Sequence, residues 1–244
     1  MKAEFLQLAL RPRTMTEASD LGVRMAQAAA PSLRRAYLPV ALLLALACGS
    51  TVQLAPWLPA LLLWWAKPWL DRGLLHIYAR QAFGETTGFS DAWAARAQSS
   101  WRELPWLLTI GRLSWWRAYT LPARQLEGQR GQPRRRRLQI LLRGQRGRAA
   151  TMQGTFATVE SCLVAGLLSL STWLTPGLRG FGGLEALFKD TLTSQLLLYG
   201  AYAAAVLFVE PFHVAAGFAM YLNRRVELEA WDVEQDLRHA FGRR

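Results

Sequence analysis

The chain has 244 residues, 52% of them hydrophobic, and a formal net charge of +12. That length admits one or two soluble domains, but the apolar residues are gathered in long blocks with the charges between them, which argues against an ordinary soluble globule. Two cysteines, Cys48 and Cys162, lie in different apolar blocks and provide neither a disulfide framework nor metal-ligand spacing.

Residues 1–36 form an N-terminal amphipathic segment. Thr14 or Thr16 caps a helix, Glu17 and Asp20 suit its first turn, and Leu21, Met25 and Ala28 share a face. The expectation is a helix lying on the cytoplasmic leaflet, in preference to one docked on a bundle, and ended by Pro31. Arg34-Arg35 before an apolar stretch resembles an export signal. Acidic Glu4, Glu17 and Asp20 precede it and further blocks follow, so the pair reads as an inside-facing anchor.

Residues 37–80 are read as a transmembrane hairpin. Its first arm is Leu38–Ala55, and its second is Trp57–Ala66 continuing to Ile77. About 20 helical residues cross the hydrocarbon, so the second arm spans only if Lys67, Asp71 and Arg72 are accommodated. Pro56, Trp57 and Pro59 suit the outer turn, and Pro68 predicts a kink.

Residues 81–150 are a cytoplasmic, Arg- and Trp-rich interfacial region. Leu104–Ile110 is too short to cross, and Trp93, Trp101, Trp106, Trp115 and Trp116 suit the headgroup boundary. Arg130, Arg134, Arg135, Arg136, Arg137 and Arg143 are interleaved with Leu138, Ile140, Leu141 and Leu142, a pattern that favours anionic lipid headgroups or a partner over nucleic acid.

Residues 151–222 are a second hairpin, with spans Phe156–Thr175 and Leu196–Leu222 joined by a glycine-rich outer loop at Gly177–Gly183. Gly200 with Ala204, and Ala201 with Ala205, predict faces for close helix contact. Glu210-Pro211 predicts a break. Residues 223–244 are an acidic amphipathic cytoplasmic tail. The basic residues before Leu38, after Ile77 and at Arg224-Arg225 put both termini on the cytoplasmic side of four spans. The fold class is therefore an all-α, polytopic membrane bundle with amphipathic helices on its cytoplasmic face.

An ammonium within a span is costly enough to require a partner or a purpose. Lys67 lies about 15 Å below Trp57, and Glu210 about 18 Å from the inner end at Leu222. Glu160 can also point inward, so Lys67, Asp71, Arg72, Glu160, Glu210 and His213 form a candidate intramembrane charge cluster. It serves either to fix packing or to line a polar pathway. Glu210-x-x-His213 has half the spacing of a di-iron site, but no second such motif exists, so neither metal nor cofactor is expected. No nucleophile elbow, phosphate loop or zinc helix is present, and nothing points to an enzyme.

Several ordered motifs carry a resemblance. They are Trp64-Trp-Ala-Lys-Pro-Trp-Leu-Asp-Arg-Gly-Leu-Leu-His76, Phe83-Gly-Glu85, Leu121-Pro-x-x-Gln-Leu-Glu-Gly-x-Arg-Gly131 and Glu210-Pro-Phe-His-Val-Ala-Ala-Gly-Phe218. A tail motif of Arg224, Arg225, Glu227, Glu229, Trp231, Asp232 and Glu234 completes the set. Together they resemble a group of uncharacterised bacterial inner-membrane proteins, distantly similar to the membrane domain attached to some glycerophosphodiester phosphodiesterases. The resemblance implies an envelope protein and carries over no catalytic residue; the leading expectation is a non-enzymatic inner-membrane scaffold or accessory subunit with membrane-protein partners in an envelope complex. A small transporter or channel component using the Lys67/Glu210 pair is the alternative.

Overall fold

The computed structural model describes residues 12–82, 84, 114–129, 131–174 and 191–229, which form seven helices and no strand. In chain order these are α1 (Met15–Ala28), α2 (Ala30–Gln53), α3 (Leu58–Ala82), α4 (Arg117–Gln125), α5 (Gly131–Leu142), α6 (Arg146–Leu174) and α7 (Leu192–Glu229). Three of them, α2, α6 and α7, are long and apolar enough to cross a membrane. α3 has the length, but Lys67, Asp71, Arg72 and Arg80 lower its apolar character.

The outward faces explain the medium. α6 buries only Ala149, Met152 and Thr172, while Val159, Leu167, Leu170, Trp173 and Leu174 point away from the protein. α2 likewise turns Leu38, Leu42, Leu43 and Leu46 outward. A water-soluble monomer does not display so much contiguous apolar surface; in hydrocarbon it costs nothing.

Burial is lopsided. α3 is exposed at Leu62, Trp64 and Trp65 but buried almost all round from Lys67 to Ala79, and α7 from Val209 to Asn223. These two halves form the core, and α1, α4 and α6 pack around α7.

α1 opens with a reciprocal cap. The Thr14 hydroxyl accepts from the Glu17 amide at 3.3 Å, and the Glu17 carboxylate accepts from the Thr14 amide at 3.1 Å. Its buried stripe is Met15, Ala18, Gly22, Met25 and Ala26, pressed against α7. This corrects the expectation of a helix lying on the leaflet. The seat is made by Gly22: a Cβ there would lie 2.4 Å from the Ala216 Cα. Asn223 ties the approach to α1, its Oδ1 accepting from the Arg13 amide and its Nδ2 donating to the Arg13 carbonyl, both at 2.8 Å. Asn223→Ala should cost about 1–3 kcal/mol and accelerate amide exchange in α1 before any other helix.

α1 ends at Ala28, three residues before Pro31, and Pro31 occupies the first turn of α2, where its missing N–H is harmless. One further expectation is corrected. Pro211 does not break α7, which runs unbroken from Leu192 to Glu229; Glu210 beside it is held by Lys67 and Arg117, and the Pro211 carbonyl accepts from Tyr78. The turn between α2 and α3 falls at residues 54–57, within the segment predicted to turn. Gly144, with a φ of 72°, permits the tight turn from α5 to α6 that a side chain would resist.

α4 was expected at the headgroup boundary, yet Ala118–Ala123 are buried within the bundle. Gly217 of α7 lets it in, since a Cβ there would meet the Ala118 carbonyl carbon at 2.5 Å. By contrast Gly200 and Ala204 of the expected small-residue face are exposed, and nothing lies within 4 Å of a Cβ built on Gly200. Buried tyrosines pin helix to helix. Tyr78 donates to the Pro211 carbonyl (α3 to α7) and Tyr119 to the Leu141 carbonyl (α4 to α5), both at 2.9 Å, while Tyr199 donates to the Ala45 carbonyl (α7 to α2). The expectations for Trp93, Trp101, Leu104–Ile110, Arg130, Gly177–Gly183, Trp231, Asp232 and Glu234 fall outside the described residues.

Candidate functional site: a buried charge cluster

Glu210 is the hub. Its side chain is 1% exposed, and three groups converge on it: Lys67 Nζ at 2.8 Å from Oε2, and Arg117 Nη2 at 3.1 Å and His213 Nδ1 at 3.2 Å from Oε1. Lys67 also reaches Glu160 Oε2 at 2.7 Å, and the same Arg117 nitrogen lies 3.1 Å from Asp71 Oδ2. His213 Nε2 faces Gln153 Oε1 at 2.9 Å, and its ring packs against Phe156. Four helices thus contribute: α3 (Lys67, Asp71), α4 (Arg117), α6 (Gln153, Glu160) and α7 (Glu210, His213).

The local sequence explains the convergence. Lys67 and Asp71 are four apart and stack on one face of α3, as Glu210 and His213, three apart, do on α7. Gln153 and Glu160 are seven apart, two turns along α6. Arg72 follows Asp71 at about 100° around the helix and so does not share its direction; it is buried, and its carbonyl accepts from Gln125 Nε2 at 2.9 Å.

The cation linking Asp71 to Glu210 is instead Arg117, which the sequence reading overlooked. Burial opposes its charge, but Asp71 and Glu210 outweigh that penalty and hold the guanidinium pKa above the usual arginine range. The available signal was arithmetic: with Arg72 about 100° around the helix from Asp71, three carboxylates in apolar segments exceed what Lys67 can satisfy.

A cavity of about 260 Å³ opens beside the cluster, lined by Trp64, Lys67, Arg117, Phe156, Glu160 and His213 among others. No group of three or more metal-ligating side chains occurs among the described residues.

A second polar network closes the end of the bundle. Glu127 takes both Nε and Nη2 of Arg137, at 2.9 and 2.8 Å, and accepts from the Tyr221 hydroxyl. Arg137 Nη2 also reaches Glu229 at 2.6 Å, and Glu229 pairs with Arg225 one turn earlier. The hydrogen bond to Glu127, foremost, lifts the Arg137 pKa above its ordinary value. Arg137 therefore clamps α5 to α7, while Arg135, Arg136 and Arg143 are exposed and Arg134 is half-buried. Arg224 pairs with Glu227 at 2.7 Å.

No protein-family model, curated protein or solved structure matches this chain. Its function is therefore argued from the geometry alone.

Proposed function

We propose that this chain is a four-span integral protein of the bacterial inner membrane, with both termini cytoplasmic, acting as a non-enzymatic scaffold or accessory subunit of an envelope complex. One observation carries the reading: Lys67, Asp71, Arg117, Glu160 and Glu210 are ion-paired with one another, across four helices, in a single network. Such a network fixes which helices meet and in what register. α3 supplies the fourth span, its charges neutralised within the bundle. Arg135, Arg136 and Arg143 face outward toward anionic headgroups or a partner.

The cavity beside Lys67 and Glu160 supports a second reading, a small transporter or channel component. A double-mutant cycle on Lys67→Met and Glu160→Gln separates the two. For a packing role, each single change lowers the melting temperature in detergent, the double loses less than the sum, and retention of co-purifying partners tracks stability. Loss of cellular function in variants of unchanged stability and unchanged partners would favour the pathway. Reporters fused after Arg148 and within 175–190 should be cytoplasmic and periplasmic respectively; the reverse would remove the topology.

A further inference from the structure

The charge cluster is dry on one side and open on the other. The side chains of Glu210 and Asp71 are 1% and 2% exposed, whereas that of Glu160, which shares Lys67 with Glu210, is 19% exposed. The cavity lies on the open side, where Ser114, Arg117, Gln153, Glu160 and Ser161 give it a polar wall. Its charges balance, since Lys67 and Arg117 face Glu160 and Glu210. The lining therefore calls for no further ion.

What it does call for is hydrogen bonds. Glu160 bonds Lys67 through Oε2, and its Oε1 has no partner among the described residues. Arg117 uses only Nη2, and Gln153 only Oε1; Arg117 Nε and Nη1 and Gln153 Nε2 have no partners among the same residues. Gln153 and Glu160 lie about 10 and 21 Å along α6 from Arg146, at depths where hydrocarbon offers such groups nothing. Unsatisfied polar groups at that depth are costly, and they persist where they line water. A water needs two to four polar partners and fills about 30 Å³ in the liquid. The cavity of about 260 Å³ has room for several.

We infer that this cavity is a water-filled vestibule, entered from the cytoplasmic end of α6, that carries solvent to the Lys67–Glu160 pair inside the membrane and stops at Glu210. Water is its ligand, bonded by Glu160 Oε1, the free edge of Arg117 and the Gln153 amide. Solvent on one side only splits the cluster in two: the Lys67–Glu160 pair is screened, while Glu210 and Asp71 stay dry behind it. The vestibule rests on α6 being a span with its N-terminal end cytoplasmic. It holds for a scaffold and for a transport component alike, and it gives the second of these a defined entrance.

The test uses the full chain in membrane vesicles of both orientations, with one cysteine in each variant. Ser161→Cys, Ala157→Cys and Leu170→Cys are made with Cys48 and Cys162 replaced by alanine; native Cys162 is kept alone by replacing Cys48. Ala157 and Ser161 line the cavity, whereas Cys162, about 100° further round the helix, and Leu170 are exposed away from it. The probe is a charged, membrane-impermeant methanethiosulfonate, which attacks thiolate and so needs water at the sulfur. Cysteines at 157 and 161 should react at least about tenfold faster than those at 162 and 170, from the cytoplasmic face. Adding Ser161→Trp, at an exposed position, to Ala157→Cys should slow labelling at 157 at least about tenfold without lowering the melting temperature. Unreactive thiols at 157 and 161 in proteins that melt like wild type, or labelling at 157 indifferent to the tryptophan, overturn the vestibule and leave the span standing. Fast reaction at all four positions overturns both, because α6 would then lie in water. Reaction at 157 and 161 from the opposite face alone supports the water and overturns the cytoplasmic entrance.

Discussion

Replacing Glu210 by leucine should destabilise the folded bundle by roughly 3–5 kcal/mol, the typical consequence of stranding buried charges. The carboxylate meets Lys67, Arg117 and His213 at once, with a side chain 1% exposed, so its removal leaves two cations and an imidazole facing an apolar side chain. Glu210→Gln should be milder, roughly 1–3 kcal/mol, because Lys67 keeps Glu160 and Arg117 keeps Asp71. Adding Lys67→Met to Glu210→Leu should recover part of the loss. Exchanging the two charges should not rescue, since a lysine at position 210 would face Arg117. Thermal unfolding in detergent checks the order Leu, then Gln, then wild type; equal melting temperatures for all three would mean that the cluster contributes nothing to stability.

Adding a single methyl group at Gly22 or Gly217 should be nearly as damaging. At Gly22 the nearest atoms to a new Cβ are all backbone of α7: Ala216 Cα at 2.4 Å, Ala215 O at 2.5 Å and Ala215 C at 2.7 Å. At Gly217 they are Ala118 C at 2.5 Å, with Ala118 Cβ and O at 2.7 Å. No side-chain rotation relieves either contact, so α1 or α4 must back away. Each Gly→Ala change should cost roughly 1–3 kcal/mol. Gly200→Ala and Gly166→Ala, with nothing within 4 Å, are the controls. Each should be neutral or stabilising by up to about 1 kcal/mol, because alanine orders less entropy in a helix. Proteolysis should report the difference as cleavage near α1 in Gly22→Ala alone; a Gly22→Ala protein as resistant as Gly200→Ala would refute the seat.

The helices were legible where periodicity or block length speaks plainly. The apolar runs containing α2, α6 and α7 stand out because hydrocarbon demands about 20 consecutive compatible residues. Lys67 and Glu210 stood out because a lone charge is conspicuous in such a run. Their contact follows from placing both at similar depth. Arg117 was hidden because it sits in a polar, Trp-rich stretch where an arginine is unremarkable, and only the carboxylate excess marks it. The path of α1 was hidden for another reason. A face bearing Leu21, Met25 and Ala28 looks ready for lipid, but the contact surface is the adjacent stripe of small residues around Gly22, where close approach outweighs hydrophobicity. The same rule misled at Gly200, since small residues permit contact without ensuring that a neighbour is there.

The position of α7 in chain order has a consequence for biogenesis. Gly22, Lys67, Tyr78, Arg117 and Gln153 all find partners on this helix, which is translated after every one of them. Each earlier segment must therefore wait at the translocon or in the bilayer with its seat empty and its cation only partly paired. Contacts of such sequence separation close slowly, and incomplete membrane bundles expose surfaces that quality-control proteases recognise. Ribosome stalling before residue 210 should leave a product far shorter-lived than stalling after residue 226, and a pulse-chase comparison of the two would date the moment at which the bundle becomes self-supporting.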